Sequence, residues 1–189
     1  MKFIQRLERK FGKYAIPNLM KYVIALYVVG MLIFSLSPYA YMFLGLEVDK
    51  VLKGQVWRLV TFLIPYNTFS NILTVFLKAY IFYMIGNALE NAWGSFKLNL
   101  YFFSAVIFNI IAAFIVYGLT RVNILGHIMM VITSPLDIIY SSMFFAFAAL
   151  YPNTQFLLYF IIPIKVKYLA WINGIFYLYN IYVMIQNKF

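Results

Sequence analysis

The sequence predicts an all-α membrane protein, a bundle of about five transmembrane helices with a polar first loop lying at the membrane interface. Three observations predict it. Hydrophobic residues make up 65% of the 189, with 21% aromatic and only 11% charged, whereas a soluble domain is nearer half apolar and a quarter charged. Mean hydropathy is +0.87, so lipid must solvate much of the apolar surface. Apolar runs long enough to cross about 30 Å of hydrocarbon recur along the chain, separated by short polar breaks.

Fifteen Lys and Arg against five acids give a net charge of +10. In a soluble chain that excess would suggest nucleic acid. Beside apolar spans it is instead the flanking charge that sets topology and meets anionic lipid, so no nucleic-acid partner is expected. Absence of Cys excludes disulfides, thiolate catalysis and Cys-bound metal. A single histidine, His127, leaves no ligand cluster, so neither a metal nor a cofactor is expected.

Residues 1–18 form a basic lead-in and 19–189 the transmembrane domain. Phe3, Ile4, Leu7 and Phe11 recur at helical spacing between Arg and Lys. The lead-in reads either as an amphipathic surface helix or as a plain cytoplasmic charge anchor. It lacks a small-residue cleavage site, so it is not read as a signal peptide. Asn18, after Pro17, is placed to cap the next helix.

The first span is Leu19–Leu44, with a kink expected between Ser35 and Pro38. Gly45–Lys53 is polar. Gly54–Tyr66 carries Trp57 and Arg58 among apolar residues and suits an interfacial segment. The second span is Ser70–Leu89, the third Phe96–Leu119, with a tight turn at Ala92–Lys97 between them. Thr120–Thr133 reads as a loop or interfacial helix. The fourth span, Pro135–Tyr151, is near the lower limit for crossing. Thr154–Lys167 is too short to span and is placed in the membrane surface, and Tyr168–Ile185 is the last span. With the N-terminus inside, the inner segments carry nine Lys and Arg and the outer five, which favours a cytoplasmic N-terminus and an external C-terminus in the plasma membrane.

The run Gly54-Gln55-Val56-Trp57-Arg58-Leu59-Val60-Thr61-Phe62 resembles the rhomboid superfamily, whose members carry Trp-Arg-x-x-Thr in the first external loop. Gly86-x-x-Leu89-Glu90 followed by Trp93-Gly94-Ser95, then Tyr151-Pro152-Asn153, then FIIPIKVKYL match in order. The similarity covers Val51 to about Trp171. It is nearest to small bacterial rhomboid-like proteins, and the Trp-Arg pair is shared with derlins. The resemblance implies a rhomboid-like bundle, a structural loop motif at Trp57, Arg58 and Thr61, and a motif closing the second span at Gly86, Glu90 and Gly94.

Active rhomboids cleave peptide bonds within the membrane using a Ser-His dyad. Their Ser lies in Gly-x-Ser-Gly at the fourth span, their His on a sixth span, and a His-x-x-x-Asn on the second span steadies the oxyanion. By interval these positions fall on Thr74 and Lys78, and on Ser134-Pro135-Leu136-Asp137. Gly-x-Ser-Gly is absent, no sixth span is visible, and His127 precedes the fourth span. A serine hydroxyl needs an adjacent base and its intermediate needs preformed donors, so no catalytic residue is assigned. Ser141 and Ser142 suit helix-interior hydrogen bonding better.

Lys78 is a charge within the second span, worth roughly 2.5–3.5 kcal/mol on insertion scales. It is expected to pair with Asp137 at the former active-site positions. Alternatively Lys78 snorkels and Asp137 caps the fourth helix. The resemblance therefore implies a pseudoprotease that lives in the lipid bilayer, binds transmembrane segments of client membrane proteins and serves quality control or trafficking. Two other readings stay open: a divergent intramembrane serine protease, and a small transport or scaffold subunit in which Lys78 and Asp137 line a polar path.

Overall fold

Proline and glycine set the helix boundaries, because lipid-facing residues propagate a helix without internal stop signals. The computed structural model describes residues 2–65, 72–120, 135–158 and 162–186. In order these are α1 (Lys2–Phe11), α2 (Leu19–Leu36), α3 (Tyr41–Leu44), α4 (Val48–Leu52) and α5 (Arg58–Thr61). Then come α6 (Ile72–Trp93), α7 (Ser95–Thr120), α8 (Pro135–Leu150), β1 (Gln155–Leu158), β2 (Ile162–Lys165) and α9 (Val166–Gln186). Among the described residues α2, α6 and α7 are long and apolar enough to cross a membrane, and α8 is a shorter apolar helix. The molecule is a helical membrane protein, as its composition requires.

The chain divides into two compact units, Met1–Ser141 and Ser142–Phe189. In the first, the buried residues of α2 are Leu19, Met20, Val23, Tyr27, Gly30 and Phe34. Their spacing of three and four places them on one stripe, which packs on α6. Leu98, Asn99, Phe102, Val106 and Ala113 make the equivalent stripe of α7. The opposite faces, with Tyr22, Val28 and Leu32 on α2 and Phe103, Ile107 and Ile111 on α7, are exposed and equally apolar. Hydropathy therefore says that these helices sit in lipid without saying which face meets protein.

Two glycines let backbones approach. A Cβ on Gly86 of α6 would overlap Met20 Cγ and come within 2.6 Å of its Sδ, so the missing side chain is the socket for Met20. A Cβ on Gly30 of α2 would run into the Pro65 carbonyl oxygen and lie 3.2 Å from Ile64 Cγ2. Small residues at such crossings are the usual device where lipid supplies no hydrophobic drive between helices.

Three local expectations are corrected, and a fourth stretch is given its secondary structure. The first span ends at Leu36 rather than Leu44, because Pro38 forces Ser37 into an extended conformation (φ −143°); a 3₁₀ turn, Pro38–Ala40, and α3 follow. The turn expected at Ala92–Lys97 is a single residue, Gly94, at φ +85°, a left-handed conformation that glycine adopts without strain. Asn18 stands at the start of α2 in a left-handed conformation (φ 54°) and makes no side-chain cap bond. The stretch Thr154–Lys167, expected in the membrane surface, contains an antiparallel hairpin pairing Gln155 with Lys165 and Leu158 with Ile162. Its run of Phe, Leu and Ile suits a strand as well as a helix, and Pro163 excludes the helix.

In the second unit the hairpin is tied to its neighbours. Phe147 of α8 stacks on Phe156 of β1 at 5.9 Å and an interplanar angle of 3°. Val166 N–H donates to Thr154 O at 2.8 Å, and Val166 is fully buried. Of the expected loop or interfacial helix at Thr120–Thr133, Thr120 is the last residue of α7, and residues 121–133, with His127, lie outside the described residues.

Gly86→Ala should destabilise the protein by about 1–3 kcal/mol through overpacking. In a Met20→Ala background, which itself costs about 2–5 kcal/mol, the same change should cost little, because the atoms in conflict are gone. Thermal unfolding of the four species of the double-mutant cycle in detergent checks both; additive losses would mean that Met20 is not what fills the socket.

Candidate functional site

Three groups of residues stand out, and the first two answer the same chemical problem: backbone polar atoms that regular structure leaves unpaired. The first group is the loop after α2. Helix α3 is one turn long, so its carbonyls have no partners further along the helix. Four consecutive carbonyls are instead claimed by one turn, α5, and the residue before it. Arg58 Nη2 donates to Met42 O at 2.6 Å, and Trp57 Nε1 donates to Phe43 O at 3.2 Å. Thr61 Oγ1 donates to Leu44 O at 2.9 Å, and Arg58 Nη1 to Gly45 O at 2.7 Å. Trp57, Arg58 and Thr61 fall on one face because they are adjacent or three apart.

Arg58 is only 1% exposed. Its charge is balanced by Glu47, 3.2 Å from Nη1, and its Nε donates to Gln55 Oε1 at 2.7 Å. A planar guanidinium can serve two carbonyls, an amide and a carboxylate at once, which an ammonium cannot. At the loop's rim Lys53 Nζ donates to Asp49 Oδ2 at 2.7 Å, and this holds the Asp49 carboxyl below its ordinary value. The pair's effect is therefore present above pH 3.8 and lost as pH falls through the lowered value; it is solvent-exposed and small. Tyr117 of α7 reaches the same carboxylate at 3.4 Å, tying the loop to the third span.

The second group lies where the lead-in joins the bundle. Glu90 Oε1 accepts the Asn18 N–H at 2.9 Å and the Ser95 hydroxyl at 2.6 Å. Gly94, between α6 and α7, gives the reversal that brings Ser95 back to Glu90. Asn99 of α7 accepts the Ile16 N–H at 3.0 Å and donates to Ile16 O at 2.9 Å. Together they pin residues 16–18 by their backbone, while Lys97 lies 3.8 Å from Glu8 of α1. Glu90 and Gly94 belong to the expected motif. Asn99 was missed, although a buried Asn within an apolar span is the signal that could have found it.

The third group lies between α6 and α8. Phe82 stacks on Tyr140 with ring centroids 3.9 Å apart, and Tyr140, fully buried, stacks in turn on Tyr27 of α2 at 5.9 Å. Phe82 is one turn beyond Lys78, and Tyr140 three residues beyond Asp137. Thr74 and Lys78 are exposed on α6. Asp137 is in the first turn of α8, but its side chain lies outside the described residues, as does Ser134, so the expected Lys78–Asp137 pair falls beyond them. Neither the stack nor its members was expected from the sequence, since Phe and Tyr are too frequent in this chain to be informative.

Replacing Arg58 by Ala should cost about 3–5 kcal/mol, because Glu47 and several carbonyls lose a buried partner. Arg58→Lys should recover little of it, and Thr61→Val should cost about 1 kcal/mol. Unfolding midpoints measured in detergent check the ranking. Asn99→Leu should leave the spans folded but accelerate amide exchange at residues 16–18, as hydrogen-exchange mass spectrometry would read; unchanged exchange there would refute the pinning.

Comparison with known proteins places this geometry in a family. No curated protein and no solved structure matches the chain. A family model described as eukaryotic integral membrane protein (DUF1751) matches residues 21–187, the whole of the described bundle beyond the lead-in. Its description as eukaryotic lends no support to the expected bacterial likeness. The chain belongs to this family of eukaryotic integral membrane proteins.

Proposed function

We propose that the protein is a non-catalytic, rhomboid-like membrane protein that binds transmembrane segments of client membrane proteins in their quality control or trafficking. The observation that carries this reading is the aromatic stack. In the rhomboid-like arrangement the second and fourth spans would meet at the catalytic groups. Here that neighbourhood holds Phe82 against Tyr140, 3.9 Å apart, with Tyr27 behind. Stacked rings in that place leave no room for a water, a base and a scissile bond, and none of the three side chains is a general base at neutral pH.

Client binding is supported by the lengths of the elements. Helix α8 has 16 residues, about 24 Å at 1.5 Å per residue, against roughly 30 Å of hydrocarbon. A short helix thins the surrounding bilayer, which favours segments with polar residues that a thicker bilayer rejects. The clamp formed by Trp57, Arg58 and Thr61 is the rigid support of this arrangement, and Glu90 with Gly94 its counterpart at the other end. The excess of Lys and Arg around α1 supports a cytoplasmic N-terminus, with the C-terminus opposite, in the cell membrane.

In membranes the protein should not react with a fluorophosphonate serine probe under conditions that label an active rhomboid. Reconstituted with single-span test clients and carrying a photoreactive residue at Phe76 or Ile81, it should crosslink clients with a polar span more than clients with a plain Leu span. Labelling abolished by Ser134→Ala, or by Ser141→Ala with Ser142→Ala, would make it a protease. Equal crosslinking of both clients would remove the binding role.

A further inference from the structure

The second unit carries a groove between the C-terminal half of α8 and α9, with a volume of about 600 Å³. That is in the middle of the roughly 300–1,000 Å³ range of ligand pockets. Its floor is made of small side chains, Ala148 and Ala149 on α8 and Ala170 and Gly174 on α9. Trp171, Ile175 and Leu178 form the rim and are exposed to 73%, 62% and 69%. Exposure of that extent on one helix is stable only against lipid or something held in lipid. Among the described residues the single charged group lining the groove is Lys167, at one end.

Length and charge together identify the occupant. From Lys167 to Leu178 the groove follows α9 for about 16 Å at a rise of roughly 1.5 Å per residue. That is half of a hydrocarbon core about 30 Å thick, the depth of one leaflet. A partner helix crossing the membrane would need a groove twice as long. Lys167, with Tyr168 beneath its Nζ at 5.1 Å and Trp171 one turn on, forms a cation and aromatic pair of the kind that marks the headgroup level. The apolar rim then points toward the bilayer centre.

We propose that this groove is a binding site for one anionic phospholipid. An acyl chain lies along Ala148, Ala170 and Gly174, and a headgroup phosphate oxygen accepts a hydrogen bond from Lys167 Nζ. The site is independent of client binding, because it requires neither the aromatic stack nor a partner protein.

The experiment is native mass spectrometry of the full chain released from nanodiscs containing equal phosphatidylserine and phosphatidylcholine. Wild type should retain one lipid, with phosphatidylserine favoured roughly five-fold, the attraction that one Lys exerts at an anionic surface. Lys167→Gln should retain a lipid without headgroup preference. Gly174→Leu should retain none; a Cβ there meets only Phe145 Cε1 at 4.0 Å, so the added side chain starts without a clash and occupies the groove. Ala149→Leu, on the opposite wall, gives the same readout should Gly174→Leu fail to fold. Equal retention of both lipids by wild type, or wild-type retention by the filled variants, would overturn the proposal. So would crosslinking of a transmembrane peptide to a photoreactive group at position 170 with no lipid retained, which would assign the groove to a protein.

Discussion

A hydrocarbon solvent offers no hydrogen bonds, so each backbone N–H and C=O at membrane depth must find a partner in the chain. Long helices meet this rule by themselves. The rest of this structure is an answer to it wherever a helix stops. When Pro38 ends α2, the next carbonyls fall to α3, too short to satisfy its own end, and Arg58, Trp57 and Thr61 take four of them in a row. Where the lead-in meets the bundle, Asn99 binds both backbone groups of Ile16 and Glu90 takes the N–H of Asn18. Where α8 ends at Leu150, the chain pairs with itself as a hairpin.

The same constraint explains how polar groups are tolerated within an apolar chain. Arg58 is charged and buried, but each of its three guanidinium nitrogens meets a carbonyl, an amide or a carboxylate. Such a group serves geometry rather than chemistry: it fixes where the loop crosses the bundle, and Gly30 admits that loop against α2. Removing the apolar effect between helices also shifts the weight of packing onto shape. Met20 in the Gly86 socket and the stacked rings of Tyr27, Tyr140 and Phe82 are contacts of shape.

These two features divide the molecule's surfaces by role. The polar side chains of the loop and of the lead-in junction are directed at the chain's own backbone or at one another. What the protein presents outward is apolar: the faces of α2, α6 and α7, and the groove beside α9. A family defined as integral membrane proteins thus has, in this member, a surface suited to lipid.

Composition and hydropathy by themselves determined the solvent of this protein and its long helices, because the need for about 20 apolar residues per crossing is read directly from the chain. The Trp57-Arg58-Thr61 spacing and the Gly86-Glu90-Gly94 spacing were also legible, as local patterns with unusual residues. Tertiary structure decided what those residues hold. No spacing rule links Arg58 to carbonyls 13 and 16 residues earlier, or Asn99 to Ile16, 83 residues away. It decided which face of each long apolar helix is buried, since both faces are apolar. It also decided that Gln155–Leu158 and Ile162–Lys165 pair with each other, since Pro163 argues against a helix but names no partner. The physical reason is common to all three: in lipid, hydrophobicity places a segment in the membrane, and only shape and hydrogen bonding place it against its neighbours.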